Sequence, residues 1–169
     1  KPVIKTDLKF YTFEKAVVAC GAFSKKLTDQ VGEKIPLDTE RGYHVHFKGH
    51  DHLLSRPVIF LNRGFGITPM EQGLRVVGTV EFGGLYNPPS KKRIQNLVNS
   101  AKYLFPELGK HEDEWLGFRP TLPDFLPVIG PSKKYKNLFY SFGHHHLGWT
   151  LGAISGKILA GMIAEENTN

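Results

Sequence analysis

Cysteine occurs once in the 169 residues, at Cys20. An internal disulfide is therefore excluded, and a reducing compartment fits. No uninterrupted apolar run approaches the roughly 20 residues that a membrane-spanning helix needs. Residues 1–10 alternate charged with apolar side chains, which is not the pattern of a secretory signal. These absences point to the cytoplasm and leave open an association with the inner face of the membrane. Also missing are a G-x-S-x-G elbow, a Walker A loop and H-E-x-x-H, which argues against a serine hydrolase, a P-loop NTPase and a zincin. A first-strand G-x-G-x-x-G is missing as well.

What is present is an ordinary globular composition, 40% hydrophobic and 22% charged, long enough to bury a sizeable core. The net charge of +6 invites a nucleic-acid reading. The basic residues are scattered, however, as at Lys25-Lys26, Lys91-Lys92-Arg93 and Lys133-Lys134. Each group sits beside a turn or on a helix, so solvated surface is expected and no nucleic-acid partner.

Residues 3–9 alternate like a half-buried strand, and 15–20 form an apolar run read as a strand buried on both faces. Cys20 in that run is expected to be buried and inert. A short helix follows over 23–31, stopped at Gly32. Residues 37–47, 57–61, 66–69 and 74–82 are short β-type runs separated by turn residues, which suggests an antiparallel sheet. Ser90 can cap a helix in which Ile94, Leu97, Val98, Ala101, Leu104 and Phe105 follow the i, i+3, i+4 rule, ending at Pro106. Prolines and glycines exclude a helix between 115 and 130. A strand is expected over 137–142, a tight turn over 143–148, and a last helix over 149–165. Leu151, Ile154, Ile158, Leu159, Met162 and Ile163 would form its apolar face. Gly152, Gly156 and Gly161 would allow close approach of a neighbour.

Strand, glycine-bounded turn and glycine-rich helix together suit an anion or an electron-rich ring edge, because the first helical N–H groups lack internal partners. A buried helix with glycines for packing explains the same residues equally well. Arg119, between Phe118 and Pro120, has the planar fork that binds a carboxylate through two hydrogen bonds. An internal salt bridge to Asp124 or Glu112 is the plainer alternative. His44 and His46 lie two apart, so both face one side of a strand. With His50, His52 and the run His144-His145-His146 they raise the question of a metal. No third ligand stands at a defined spacing, so no metal is expected.

In chain order stand Val17-Val18-Ala19-Cys20-Gly21-Ala22-Phe23-Ser24, Thr39-Glu40-Arg41-Gly42, Gly78-Thr79-Val80-Glu81, the proline-rich run from Gly117 to Gly130, and Gly143-His144-x-x-x-Gly148 before the last helix. In this series the chain resembles the FAD-dependent D-amino-acid oxidase superfamily, and within it bacterial D-amino-acid dehydrogenases and glycine oxidase-like members. The resemblance covers nearly the whole chain and implies the C-terminal half of such a protein. The implied fold is mixed α/β and α+β: the C-terminal part of a Rossmann-like FAD domain (1–36 and 118–169) and an antiparallel-sheet substrate domain (37–117). Residues 1–36 would be late strands of the FAD domain, and 118–169 its last strand, flavin loop and helix.

The resemblance implies a non-covalent FAD, contacted by Gly21, Ala22, Gly143, His146, Leu147, Gly148, Trp149 and Thr150. It implies that Arg119 binds the substrate carboxylate, and it places His146 where glycine oxidase-like members have an arginine. The family's active-site tyrosine falls on Gly66, where no hydroxyl exists, and Tyr43 is the candidate replacement. The implied reaction is oxidative deamination of a D-amino acid: hydride passes from Cα to flavin N5, and a 2-oxo acid and ammonia result. The implied partners are a small amino-acid substrate and an electron acceptor that the sequence does not identify. A peripheral membrane contact and a homo-oligomer stay open. So do a glycine, sarcosine or opine oxidoreductase, and a non-catalytic binding or subunit module. The chain alone is expected to be inactive.

Overall fold

The computed structural model describes residues 1–165. The chain divides into two units, Lys1–Thr39 with the described residues from Arg119 onward, and Glu40–Phe118. The division falls within two strands, β4 (Asp38–Phe47) and β8 (Asp113–Thr121).

In the first unit, β1 (Val3–Lys5) and β2 (Phe10–Thr12) form an antiparallel hairpin where one strand over 3–9 was expected. Thr6 makes the difference. Its hydroxyl accepts the N–H groups of Leu8 and Lys9 and donates to the Lys9 carbonyl, so side-chain bonding turns the chain. β3 (Ala16–Val18) pairs in parallel with β10 (Leu138–Phe142), which pairs antiparallel with β9 (Val128–Pro131). Among the described residues β3 is thus an edge strand with Val17 exposed, not a strand buried on both faces. Cys20 is exposed too, contrary to the sequence expectation. It lies beyond the strand, at the entry to a 3-10 turn over Gly21–Phe23, and its N–H bonds to Ser24 Oγ at 3.0 Å. Helix α1 (Ser24–Gln30) follows, and Gly32 ends the segment in the left-handed region with φ +73°. Next to it the Glu33 carboxylate accepts the Lys134 N–H at 3.0 Å and the Tyr140 hydroxyl. Leu37, Leu122, Leu138, Tyr140 and Phe142 fill the core.

Helix α3 (Gly148–Glu165) ends the described chain. Ser155 and Leu159 are buried, whereas Ile154, Ile158 and Met162 are exposed. The six expected apolar positions therefore do not form one buried face in this chain. Segment 145–164 is, by length and composition alone, long and apolar enough to cross a membrane, which the reading of uninterrupted apolar runs did not anticipate. The glycines and the single lysine inside it break the run while the segment as a whole stays apolar.

The second unit is a five-stranded sheet in the order β5 (Val58–Phe60), β6 (Phe65–Met70), β7 (Gly73–Phe82), β4, β8. The β5–β6, β6–β7 and β4–β7 pairings are antiparallel, as the turn residues suggested. Helix α2 (Lys91–Leu104) lays Ile94, Leu97, Val98 and Ala101 onto Tyr43, Val45, Phe47, Phe65, Ile67, Leu74 and Val76. Strand alternation puts those residues on one face. Ser90 stands at the N-cap position of α2, but its side chain makes no capping bond. Its backbone N–H bonds to the Tyr43 hydroxyl at 3.0 Å instead.

Candidate functional site

Arg119 lies near the end of β8, after Trp115 and Gly117 at two-residue spacing. One of its terminal nitrogens, Nη1, is buried and has no hydrogen-bond partner. The salt bridges that the sequence left open are not made. Asp124 accepts the Leu126 N–H at 3.1 Å, and Glu112 pairs with Lys48 at 2.7 Å. A buried guanidinium N–H without an acceptor costs free energy in a finished core, and an anion is the chemistry that could satisfy it. A carboxylate satisfies it through two charge-assisted bonds.

The same unit holds the turn over 143–150. Gly143 has φ +88°, and a Cβ built there would meet Leu122 Cδ1 at 2.2 Å, so only glycine fits. His144 anchors the turn, its Nε2 2.8 Å from the Oγ of buried Ser155 on α3. Burial lowers the pKa of His144 and favours its neutral form. His145 adopts φ +53° and Phe125 φ +58°, both rare for residues with a side chain, and their rings meet edge-to-face at 5.3 Å. His145 and His146 touch through their Nδ1 atoms. His146, Leu147, Trp149 and Thr150 are exposed, Trp149 at 99%. The turn is therefore held from behind, by Gly143, His144 and Ser155, and displays its backbone and remaining side chains outward. The sequence offered no signal for the His144–Ser155 pair, because the partners lie 11 residues apart in different elements. Gly21, with φ +54°, and buried Ala22 sit in the 3-10 turn after β3, also in this unit.

Tyr43 belongs to the other unit and is buried. Its hydroxyl donates to Glu81 and accepts from Arg41 Nη2 at 3.3 Å and the Ser90 N–H at 3.0 Å. A phenol has one proton and two lone pairs, so this hydroxyl is fully engaged. Arg41 and Glu81, from two of the motifs quoted above, are partners across the β4–β7 ladder, with Nε to Oε2 at 3.2 Å. Arg41 also donates to the carbonyls of Gly83 at 3.1 Å and Pro88 at 2.9 Å. These motifs thus build a brace for the sheet. A cavity of about 320 Å³ beside α2, lined by Arg63, Thr79, Asn96, Asn99 and Ser100 among others, includes none of the expected site residues.

On the sheet face away from α2, His44 stacks on Trp115 and meets His46 edge-on, both at 4.9 Å. Trp115 folds back over Gly117, where a Cβ would strike its ring at 2.0 Å. No group of three or more metal-ligating side chains occurs among the described residues. Burial, and after it the charges of Arg75 and His46, brings His44 down to about 4. His46 is lowered by burial and then by Arg75. A histidine whose folded pKa lies below its unfolded value binds fewer protons when folded. Its neutral-state stabilisation is complete above the unfolded pKa near 6.5 and is lost as pH falls toward 4. The His44 ring C–H resonance is expected to stay at its neutral position at pH 5.5 and to move only near pH 4. A midpoint near 6.5 would contradict the packing described.

Comparison with known proteins gives the family. A family model described as FAD dependent oxidoreductase matches residues 2–162. The chain is 36% identical over 156 residues to a D-amino-acid oxidase of Bradyrhizobium diazoefficiens, covering 89% of this chain and 37% of that protein. It is 35% identical over 157 residues to a D-amino acid dehydrogenase of Granulibacter bethesdensis, covering 90% and 37%. The chain thus spans little more than a third of the length of these curated relatives. Among solved structures, a glycine oxidase from Geobacillus kaustophilus superposes with a TM-score of 0.82 at 26% identity, over 96% of this chain and 45% of that one.

Proposed function

The chain belongs to the FAD dependent oxidoreductase family, and from that premise we propose that the protein carrying it oxidatively deaminates a D-amino acid. The observation that carries this reading is the buried, unpartnered Nη1 of Arg119. The printed names of two relatives support the substrate class.

The residues present fit an FAD. Gly143 is a position that only glycine can fill, and the exposed turn of 146–150 leads into the first turn of α3. Gly143, Leu147, Gly148, Trp149 and Thr150 would line the flavin edge, with Gly21 and Ala22 at the end of β3. When bound, FAD supplies the two-electron acceptor for the substrate's Cα hydrogen. Arg119 binds the substrate carboxylate, and because its fork is planar it fixes the carboxylate plane and with it the direction of the Cα–H bond. The amine must be neutral for hydride to leave. As hydride leaves Cα an N–H proton passes to solvent and a C=N bond forms; water adds to that bond and ammonia departs, leaving the 2-oxo acid. No side chain is assigned as a base. His144 holds the turn and is a positioning residue, and His146 is the exposed histidine available for a polar contact.

The only cysteine is Cys20, and position 117, just before Arg119, is a glycine covered by the Trp115 ring. We therefore expect a non-covalent flavin. Acid precipitation of the holoprotein should leave a colourless pellet and a yellow supernatant, and colour retained in the pellet would contradict this.

A second reading is a glycine, sarcosine or opine oxidoreductase, favoured by the likeness to a glycine oxidase. Anaerobic mixing of the flavoprotein with single substrates separates the two. D-amino acids, and not their L-enantiomers, are expected to bleach the flavin absorbance. Bleaching by glycine or sarcosine as fast as by any D-amino acid would favour the second reading.

A further inference from the structure

Two described residues with side chains in the first unit take the left-handed backbone region, Phe125 at φ +58° and His145 at φ +53°. A bulky phenylalanine is a true outlier there. Such conformations persist only where the surroundings over-determine them, and they gather at ligand clamps. Phe125 is 61% exposed, so burial of its ring does not account for the position. Glycine would take the same φ without strain. What the ring has is a partner: it meets the His145 ring edge-to-face at 5.3 Å. The His145 ring also meets that of His146 edge-to-face, at 4.5 Å. The loop around Phe125 is fixed from its own side. The Phe125 N–H donates to the Leu122 carbonyl at 3.0 Å, and the Leu126 N–H to Asp124 Oδ1 at 3.1 Å. Leu122 and Pro127, to either side of Phe125, both crowd Gly143: a Cβ there would meet Leu122 Cδ1 at 2.2 Å and Pro127 Cα at 3.7 Å. The loop over 122–127 and the turn that begins at Gly143 therefore touch at both residues, and Phe125 on His145 is the exposed contact. On the turn itself, the Leu147 N–H bonds to the His144 carbonyl at 2.9 Å, with His145 and His146 as the two central residues. The backbone conformation of the first central residue sets the sense of such a turn. It decides which way the peptide joining His145 to His146, and with it the His146 N–H, is turned.

We propose that Phe125 is a positioning residue for the flavin. Its ring holds His145 in the left-handed region and so fixes the direction of the His146 N–H, within the segment assigned above to the flavin edge. The inference rests on that assignment and adds a residue that acts through its neighbour and makes no flavin contact of its own. Without the ring, His145 falls back to the right-handed or extended backbone that residues with side chains prefer. The turn changes sense, and only a fraction of the molecules present the flavin-binding form. Apparent affinity for the flavin drops by that fraction.

The protein that carries this chain, freed of flavin and titrated with FAD, provides the test, beside its variants Phe125→Gly, Phe125→Tyr, His145→Gly and the double glycine variant. Phe125→Gly should weaken FAD binding by about fivefold to a hundredfold. Its urea midpoint should stay level or rise, because glycine removes the backbone strain at this position. Phe125→Tyr keeps the ring and should bind FAD as the parent does. In the His145→Gly background the contact is already gone, so Phe125→Gly should change the affinity by less than about twofold. Additive effects of the two changes, or a urea midpoint that falls in step with the affinity, overturn the proposal and leave Phe125 as a support for the fold. The intraresidue HN–Hα cross-peak of His145, strong at positive φ, gives a readout without flavin. It is expected to be strong in the parent and in Phe125→Tyr and weak in Phe125→Gly. An unchanged cross-peak in Phe125→Gly shows that His145 needs no ring, which overturns the proposal. A weakened cross-peak with FAD affinity intact leaves the contact standing and removes its role toward the flavin. If the parent binds FAD but the His146 amide resonance does not respond, the assignment of the turn to the flavin fails, and the proposal with it.

Discussion

Arg41→Met is expected to lower the stability of the antiparallel unit by about 3–5 kcal/mol, the usual cost of removing one partner of a buried ion pair. Arg41 is 1% exposed, and its guanidinium serves Glu81, the hydroxyl of Tyr43 and the carbonyls of Gly83 and Pro88. Methionine fills much of the volume but leaves the carbonyls of Gly83 and Pro88 without the Arg41 donors. Glu81 keeps Arg93, at 3.5 Å, but that arginine is 37% exposed and its contact is screened. Arg93→Met should therefore cost under about 1 kcal/mol. Trp115 reports on this unit and Trp149 on the other, so urea unfolding in a Trp149→Phe background isolates the transition. With a slope of about 1–3 kcal/mol per molar urea, the Arg41→Met midpoint should fall by about 1 M or more. Equal small shifts for both variants would mean that the network is not what holds β4 to β7.

Much of this architecture is legible in the sequence because it depends on local rules. The 3.6-residue period of Ile94, Leu97, Val98 and Ala101 gives α2, and the turn residues between short β-type runs give the antiparallel sheet. What sequence does not give is long-range pairing. The apolar run before Cys20 looks the same whether a strand has two neighbours or one, and among the described residues β3 has one. Thr6 reads as a polar position in a strand until its hydroxyl is seen to close a turn. Arg41 and Glu81 appear as separate motifs 40 residues apart, and only the register shows that they are one brace. For the same reason Tyr43, a candidate for substrate contact, was not recognisable as a hydroxyl already bonded three ways. Arg75 was not singled out at all, since nothing local distinguishes an arginine docked on a neutral histidine from one in solvent. Arg119 was legible, because an arginine among prolines and bulky apolar residues has little room to be a loose surface charge.

Arg119 is also where the second large effect is expected. If its buried Nη1 and the rest of the fork receive the substrate carboxylate, Arg119→Ala removes two charge-assisted hydrogen bonds and leaves that carboxylate unpaired. The expected loss is about 2–5 kcal/mol in transition-state binding, or roughly thirtyfold to several-thousandfold in kcat/KM. Arg119→Lys should recover only part of it, because an ammonium cannot reproduce the planar fork. Nη1 of Arg119 has no hydrogen bond to lose in the free protein, so flavin content and folding are expected to hold.

The most direct measurement is kcat/KM for a D-amino acid beside its decarboxylated amine, in the flavin-loaded parent protein and in Arg119→Ala. A carboxylate clamp predicts a large loss for the acid and little change for the amine, with flavin retained. Equal losses for both substrates, or release of the flavin, would show that Arg119 supports the structure and not the substrate.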